Sequence, residues 1–323
     1  MNERIRLAGG FRRWLTVDMK RFSKCSSANL GFTIRPYAVA GLQIETSPFG
    51  KNLPLILSHI QALVDNFPWV QMIVLSELCI HGANPVHAEL MPGPTEKALQ
   101  AAAKRHKVWL VSGSIHERVG EKIYNTASVI DCKGKVVTRY RKMFPFRPYA
   151  KGISQGTDFC VFDVPGVGRF GLSICYDIWF PETTRTLACM GAEVLIHPTM
   201  TGTIDRDVEL SIIRSTAAVN QMYVLDINGS NGGGVGRSTI IGPEGDIIHE
   251  AGANTAYIPV ELDLDRVTRT RERGLLGLGQ PLKDFRNAPV VFEVYQPDSP
   301  LRAGLNGLGS LAMPGRPLSG AKS

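Results

Sequence analysis

Three side chains that could take part in acyl chemistry each lie where an apolar segment of the chain ends. Glu77 follows a strand pattern, Lys142 follows a hairpin pattern, and Cys175 joins a strand pattern to a helix pattern. A cysteine attacks a carbonyl carbon as the thiolate, yet an ordinary thiol with a pKa of about 8.5 is mostly protonated at neutral pH. A carboxylate can take up that proton, and an ammonium can stabilise the oxyanion of a tetrahedral intermediate. Each residue alone is more often a core thiol, a surface carboxylate or a solvated lysine, so this chemistry depends on the fold bringing them together.

The apolar runs of the chain alternate between strand and helix patterns, which is typical of an α/β protein. The predicted strands are residues 37–44, 72–76, 108–112, 126–131, 160–164, 168–174, 194–197, 223–228, 238–241 and 257–260. The predicted helices are residues 51–66, 95–106, 181–190 and 205–220. Tight polar turns at 131–134 and 242–245 indicate antiparallel hairpins beside parallel crossovers, so the sheets are predicted to be mixed. The reactive side chains then lie at strand ends, where α/β folds gather ligand-binding groups.

The composition predicts one main folded domain with an extension at each end. The 323 residues are 44% hydrophobic and 20% charged, which are the proportions of an ordinary globular protein. Residues 36–297 carry the strand and helix patterns, and residues 298–323 form a tail or arm rich in Gly and Pro. Residues 1–35 are predicted to contain a basic amphipathic helix, whose apolar face comprises Phe11, Trp14, Leu15, Met19 and Phe22.

The same sequence disfavours several classes of protein. No apolar run approaches the roughly 18 residues of a membrane span, and residues 1–20 lack the pattern of a secretory signal, so we expect a cytoplasmic protein without a membrane role. The formal charge of +7 has no nucleic-acid-binding motif beside it, so we expect no nucleic-acid partner and keep binding by the basic N-terminus as an alternative. The six cysteines lack paired spacing and are predicted to be reduced thiols, and no histidine spacing indicates a metal site.

Taken in this order and spacing, the segments around Glu77, Lys142 and Cys175 resemble those of the nitrilase superfamily of carbon–nitrogen hydrolases. The resemblance extends over roughly residues 37–290 and includes a late motif at residues 238–245. Members of that family carry a Glu, Lys, Cys triad on an αββα sandwich. The resemblance therefore implies an α/β fold with four layers, αββα, and mixed central sheets. It also implies that Glu77, Lys142 and Cys175 are the catalytic residues.

The resemblance further implies how the three residues would work. Cys175 would attack a small amide, Glu77 would move the proton, and Lys142 with the backbone N–H of Tyr176 would stabilise the oxyanion. Water would then hydrolyse the thioester, and the products would be an acid and ammonia or an amine. Because these groups supply the whole reaction, no cofactor or metal is expected. The family commonly pairs its subunits, so we expect a homodimer or a higher even homo-oligomer.

The residues after the nucleophile indicate the kind of substrate. Tyr176 and Asp177 stand where nitrile-cleaving members commonly have Trp and Glu, which is similar to the amidase pattern. The stretch with Trp179 is one in which carbamoyl-amino-acid hydrolases carry arginines that hold a carboxylate. An apolar or aromatic acyl group is therefore expected, although the same side chains could instead pack the core. The candidate substrate-binding residues are Tyr176, Trp179, Phe146, Tyr149 and Met200.

One position departs from the family pattern. Members usually carry a second glutamate a few residues after the lysine, yet this chain has no Glu between Glu121 and Glu182, and Ala150 occupies its place. Either a natural subfamily lacks this carboxylate, or the alanine replaces a native glutamate. The chain is then either an amidase or an amide-binding homologue without turnover. Hydrolysis of a related substrate, such as a carbamoyl compound, a hydrazide or a nitrile, stays open as well.

Overall fold

The computed structural model describes residues 34–147 and 149–312, so the predicted N-terminal helix lies outside the described residues. The strands are β1 Pro36–Gln43, β2 Met72–Leu75, β3 Trp109–Val111, β4 Ile115–Val119, β5 Lys122–Ile130, β6 Val136–Arg141, β7 Ile153–Ser154, β8 Cys160–Val164, β9 Gly168–Leu172, β10 Val194–Pro198, β11 Tyr223–Ile227, β12 Thr239–Ile241, β13 Ile247–Glu250 and β14 Ala256–Asp263. The helices are α1 Leu53–Asn66, α2 Pro94–His106, α3 Pro181–Cys189, α4 Arg206–Asn220, α5 Leu264–Arg273 and α6 Pro281–Asn287.

The strands form two mixed sheets, as the sequence predicts. The first sheet has the order β14-β1-β2-β3-β5-β4, and β6 and β7 also pair with β5. Its pairs β1–β2 and β2–β3 are parallel, whereas β14 pairs with β1 and β6 pairs with β5 in antiparallel fashion. The second sheet has the order β13-β12-β11-β10-β9-β8. Its central pairs β9–β10 and β10–β11 are parallel, and antiparallel hairpins lie at both ends.

Apolar side chains separate these elements into four layers. The core between the two sheets includes Val74 from the first sheet and Leu172 from the second. Helices α1 and α2 pack on the outer face of the first sheet through residues such as Ile60. Helices α3 and α4 pack on the outer face of the second sheet through residues such as Leu187 and Ile213. The expected αββα sandwich is therefore confirmed.

The helices begin where their sequences favour a first turn, and they bury one face. Helices α2 and α3 begin at Pro94 and Pro181, because the fixed φ of proline suits the first turn and its missing N–H is not needed there. Helix α1 buries Ile56, Ile60 and Leu63, which lie on one helical face. Burial of such a side chain contributes about 1.5–3 kcal/mol, so this stripe holds the helix on the sheet.

The predicted elements agree with the structure to within a few residues. The predicted strand at 160–164 coincides with β8, and the predicted helix at 205–220 exceeds α4 by one residue. Both predicted turns join antiparallel strands, β5 to β6 and β12 to β13. No strand was predicted at β4, β6, β7 or β13, although the two predicted hairpins imply β6 and β13, and no helix was predicted at α5 or α6. The sequence has no clear apolar helix pattern at α5, because the buried residues Leu264, Val267 and Thr270 stand among arginines and acidic residues.

The chain beyond α6 lies on the surface and has little regular structure. It forms 3₁₀ turns at Glu293–Tyr295 and Pro300–Leu308. Apolar side chains are exposed along it, including Val291 at 78% and Leu308 at 75%. None of α1 to α6 combines the length and apolar content that a membrane-crossing helix needs. The domain boundaries and the cytoplasmic location stay predictions.

Candidate active site

Glu77 and Lys142 form a buried ion pair where strands of the first sheet end. Lys142 Nζ lies 2.7 Å from Glu77 Oε1, and only 3% of each residue is exposed. Asn125 on β5 joins the pair, since its Nδ2 donates to the same oxygen over 2.7 Å. Strands β2 and β6 run in the same direction, because β3 is parallel to β2 and two antiparallel steps lead from β3 to β6. Their C-terminal ends therefore bring Glu77 and Lys142 to one edge.

Lys142 is held by its backbone and is protonated. Its N–H donates to the Asn125 carbonyl and its own carbonyl accepts from Gly156 N–H, each over 2.8 Å. Burial alone would lower the pKa of Lys142, but the Cys175 sulfur once it is ionised, and then the Glu77 carboxylate, outweigh burial and raise that pKa above its ordinary value. The ammonium is therefore a fixed positive charge within the site.

Cys175 begins the 3₁₀ turn Cys175–Trp179, which follows β9 of the second sheet. Its φ of +47° lies in the left-handed region, which side chains other than glycine seldom adopt and which often marks functional sites. Burial, and then the charge of Glu77, raises the pKa of the thiol to about 12, although Lys142 opposes this. Cys175 is therefore a thiol at neutral pH and needs a base before it can act as a nucleophile.

Asp177 anchors the turn that carries Cys175. Its carboxylate accepts hydrogen bonds from Tyr140 Oη at 2.7 Å, from Phe144 N–H at 2.8 Å and from Ile174 N–H at 2.9 Å. Burial raises the pKa of Asp177 to about 6, against the opposing effects of Lys142 and these donors. The carboxylate thus ties the segment after Lys142 to the turn Cys175–Trp179.

Hydrogen bonds and charge couplings connect the two sheets at this point. Glu77 N–H donates over 3.1 Å to the carbonyl of Thr199, which follows β10. Cys175 Sγ lies 4.0 Å from Thr201 Oγ1 on the same loop as Thr199. The charges of Glu77 and Lys142 both act on the Cys175 thiol. The structure thus brings the three predicted catalytic residues together.

An aromatic cluster beside the turn Cys175–Trp179 contains four of the five predicted substrate-binding residues. Phe146 stacks on Tyr149 with ring centres 5.0 Å apart, and it meets the edge of Tyr176, also at 5.0 Å. Trp179 lies 6.0 Å from Tyr176, but it also packs against the core between the second sheet and its helices. Met200 is half-buried in the loop after β10. The cluster offers aromatic surface, and Trp179 contributes to packing as well.

Ala150 lies in the loop that connects Lys142 to β7. Its N–H donates to the Phe146 carbonyl over 2.9 Å, and its carbonyl accepts from Ile153 N–H over 3.3 Å. The loop also returns to Lys142, because Gly156 N–H donates to the Lys142 carbonyl. Residues 143–156 contain no Asp or Glu. Residue 150 therefore stands on a loop whose far end is hydrogen-bonded back to Lys142.

Sequence reasoning missed several polar residues that support the site. Asn125 holds Glu77, Asp177 anchors the turn, and Glu209 is buried on α4 with 1% exposure. A polar residue at a position where the apolar pattern predicts burial is an informative signal. Asn125 stands in a largely buried strand, and Glu209 stands four residues before Ile213 on the buried face of α4. Both could have been found in this way.

The site combines a thiol with a carboxylate and an ammonium. Such a carboxylate can deprotonate the thiol, which can then attack an electrophilic carbon, and the ammonium can stabilise the negative charge that develops. Across residues 34–147 and 149–312, no group of three or more His, Cys, Asp or Glu side chains is arranged to hold a metal ion.

Known proteins share both the sequence pattern and the fold. The sequence profile of the carbon-nitrogen hydrolase family matches residues 37–272. The human omega-amidase NIT2 is 30% identical over 204 residues, covering 58% of this chain and 74% of that protein. The deaminated glutathione amidase of Dictyostelium discoideum is 34% identical over 192 residues, covering 53% of this chain and 65% of that protein.

Solved structures give the same result for the architecture. Nit3 of Saccharomyces cerevisiae, a member of branch 10 of the nitrilase superfamily, superposes with a TM-score of 0.68 at 27% identity, covering 74% of this chain and 94% of that one. A carbon-nitrogen hydrolase from Helicobacter pylori G27 shares the fold with a TM-score of 0.70 at 24% identity, covering 80% of this chain and 97% of that one. The family match spans every strand end that contributes to the site. The chain therefore belongs to the carbon-nitrogen hydrolase family of the nitrilase superfamily.

Proposed function

We propose that this chain is an amidase that hydrolyses the C–N bond of a small amide through a thioester on Cys175. The observation that carries the proposal is the buried pair of Lys142 Nζ and Glu77 Oε1, 2.7 Å apart, whose charges act on the thiol. A base and a fixed positive charge beside a thiol are the groups that acyl transfer requires. Two relatives are named as amidases, which supports the same class of reaction.

In the first half-reaction, Glu77 takes the proton of Cys175 as the sulfur attacks the carbonyl carbon. Because the pKa of the thiol is raised to about 12, little thiolate exists beforehand, so proton transfer accompanies the attack. The Lys142 ammonium and the backbone N–H of Tyr176 stabilise the oxyanion. Glu77 then gives its proton to the departing nitrogen, the C–N bond breaks, and ammonia or an amine leaves a thioester behind.

In the second half-reaction, Glu77 takes a proton from water, and the hydroxide attacks the thioester carbonyl. Lys142 and the Tyr176 N–H stabilise the second oxyanion in the same way. The C–S bond then breaks, the sulfur of Cys175 recovers the proton from Glu77, and the acid leaves. This route uses no cofactor and no metal ion.

We propose that the acyl group of the substrate is apolar or aromatic. Phe146 lies beside Tyr176, and Tyr149 stacks on Phe146; their exposures of 36% and 57% leave ring surface free. Aromatic faces of this kind bind planar or apolar groups. Carbamoyl-amino-acid hydrolases carry arginines that hold a carboxylate in the stretch that contains Trp179. Residues 178–180 of this chain include no arginine, which favours an uncharged acyl group.

A screen for released ammonia or amine tests the function. We expect kcat/KM for amides of butyric, benzoic and phenylacetic acid to exceed that for an amide carrying a second, free carboxylate by at least about tenfold. Carbamoyl compounds, hydrazides and nitriles of matching size provide the comparison. Turnover of a nitrile or a carbamoyl compound without turnover of any amide would contradict the proposal, and a preference for the carboxylate-bearing amide would contradict the substrate class.

The absence of a carboxylate from residues 143–156 favours a second candidate function, an amide-binding homologue without turnover. Such a chain would keep the pocket and bind amides, which calorimetry would detect, while releasing no ammonia. The same screen separates the two candidates, because any catalytic turnover by the chain as it stands excludes a silent binder.

We also propose a homodimer or a higher even homo-oligomer in which residues after 298 contact a neighbouring subunit. Apolar side chains exposed on this segment, such as Leu301 and Leu308, would gain about 25 cal/mol for each Å² buried. Sedimentation at micromolar concentration should give an even multiple of 35.3 kDa. An active monomer would refute the assembly. Deletion of residues 299–323 should reduce the number of subunits in the assembly or lower its Tm. If neither the subunit number nor the Tm changes, the interface lies elsewhere.

A further inference from the structure

Behind Cys175, two threonine hydroxyls and a carboxylate form a continuous series of hydrogen bonds. Cys175 Sγ lies 4.0 Å from Thr201 Oγ1, which lies 3.2 Å from Thr199 Oγ1. Thr199 Oγ1 in turn lies 3.4 Å from Oε1 of Glu209 on α4. All three side chains are buried. The mechanism proposed above uses none of them.

The fold fixes both ends of this series. Asn228 holds the backbone of Thr201, because its Oδ1 accepts from the Thr201 N–H and its Nδ2 donates to the Thr201 carbonyl, each over 3.0 Å. At the other end, Glu209 Oε2 accepts from the guanidinium of Arg206 over 2.6 Å. The Thr201 backbone and the Glu209 carboxylate are therefore held by groups other than the thiol.

The carboxylate sets the direction of the hydrogen bonds. An ionised carboxylate can only accept, so the hydrogen bond between Thr199 and Glu209 uses the single hydroxyl proton of Thr199. The Thr199 oxygen then accepts the proton of Thr201. Thr201 is left with a lone pair toward the sulfur, so it accepts from the S–H of Cys175 and does not donate to a thiolate.

We propose that Thr201, Thr199 and Glu209 are positioning residues that hold Cys175 as an oriented thiol until substrate arrives. The catalytic consequence rests on the amidase function proposed above, whereas the orientation of the thiol does not. When Glu77 removes the proton, the bond from sulfur to Thr201 is lost and the sulfur turns to the carbonyl carbon. The relay of Thr201, Thr199 and Glu209 thus opposes ionisation of the nucleophile before a carbonyl is in place.

Other groups that face the thiol also affect its ionisation. Burial, Glu77 and Glu209 raise the pKa of Cys175, whereas Lys142 and a hydrogen bond from Thr199 to the sulfur lower it. The proton of Thr199 therefore has two competing uses with opposite effects. Donation to Glu209 favours the thiol, and donation to the sulfur favours the thiolate.

The groups behind the relay define the conditions for a test. Arg206 pairs with Asp226 on β11 as well as with the relay carboxylate, and His197 on β10 lies beside Asp226. Burial raises the pKa of Asp226 to about 7 and lowers the pKa of His197 to about 3. Asp177, on the nucleophile turn itself, is also ionised above its pKa of about 6. Between about pH 8 and 9.5 none of these three groups changes its charge appreciably.

Alkylation of Cys175 by iodoacetamide, followed through the mass of its peptide from the full chain, measures the ionisation directly. At a pH below the thiol pKa, the alkylation rate is proportional to the thiolate fraction. A shift of one unit in the thiol pKa therefore changes this rate about tenfold. Thr201→Val removes the acceptor but keeps the shape, and we expect about three- to tenfold faster alkylation. The amide of Glu209→Gln can donate to Thr199 and so reverse the direction of the hydrogen bonds that lead to the sulfur. We expect about tenfold faster alkylation of this variant.

Matched variants separate the relay from simple charge and packing effects. Thr201→Ser restores the hydroxyl and should restore the slow rate. Asp207→Asn removes an equal charge from the same helix at a side chain with 78% exposure, and it should not alter the rate. In a protein that already carries Thr201→Val, Glu209→Gln should accelerate alkylation by only about two- to threefold. The valine has already broken the hydrogen-bonded connection between Glu209 and the sulfur.

Two results would overturn the proposal. Slower alkylation of Thr201→Val would mean that Thr201 donates to a thiolate, and undiminished acceleration by Glu209→Gln in the double variant would mean that Glu209 acts through its charge alone. If Glu209→Gln does not fold, the sign of the Thr201→Val effect still decides. Alkylation requires no amide turnover, so a chain with the expected rates but no hydrolysis would refute the amidase function and leave the relay standing.

Discussion

Replacement of Cys175 by Ser should lower kcat/KM for amide hydrolysis by about 10³-fold or more. The serine hydroxyl is far less acidic than a thiol, and Glu77 alone would have to deprotonate it in a site where Lys142 is the ammonium beside the nucleophile. Ammonia release measures the loss, and the mass of the intact chain after incubation with a thiol-directed amide analogue measures the covalent adduct. We expect no adduct on the variant.

Cys189→Ala is the matched control for this experiment. Cys189 ends α3, close in sequence to the nucleophile, and its thiol is free and exposed. Its replacement should leave both hydrolysis and labelling intact. An adduct on Cys189 or Cys79, or full activity of Cys175→Ser, would show that the nucleophile has been misassigned.

Replacement of Ala150 by Glu should raise kcat by about 10²-fold if the alanine stands where a catalytic carboxylate belongs. The loop around residue 150 is tied to Lys142, because Gly156 N–H donates to the Lys142 carbonyl over 2.8 Å. A carboxylate on this loop would add a second acceptor and a negative charge to a site where Glu77 is the acceptor for the ammonium. The measurement is kcat for the best amide of the screen.

Ala150→Gln separates charge from size in this comparison. It adds a side chain of nearly the same volume as glutamate without the negative charge, so we expect a gain of no more than a few-fold. Equal gains from Gln and Glu would mean that residue 150 acts by packing. A parent chain that is already fast, with no gain from Glu, would indicate a natural subfamily that works without this carboxylate.

The sequence predicted the parts of the site that depend on residue type and on strand ends. Glu77, Lys142 and Cys175 each follow a recognisable apolar segment, and the family resemblance supplied the arrangement that joins them. The spacing of apolar residues and the turn residues also located β8, α4 and the β5–β6 hairpin closely, because these segments have clear patterns.

The sequence did not predict which polar groups would hold the site. Asp177 accepts from Phe144 and Ile174, which are separated by 30 positions along the chain, and only the meeting of the sheets explains that contact. Thr199 and Thr201 follow a strand as ordinary loop residues, and nothing local indicates that they approach a sulfur. Trp179 was predicted to line the pocket, and it also packs against the core between the second sheet and its helices. The sequence did not indicate that one side chain would contact both this core and the aromatic cluster.

The two sheets contribute different halves of the reactive group, and this has a consequence for the newly made chain. Glu77 and Lys142 belong to the first sheet, whereas Cys175 follows β9 of the second. During synthesis the first sheet's residues up to Ser154 leave the ribosome before Cys175 does. A chain that stops between Ser154 and Cys175 therefore contains the carboxylate and the ammonium without the thiol, so the reactive group is complete only after the second sheet has been made and has packed on the first.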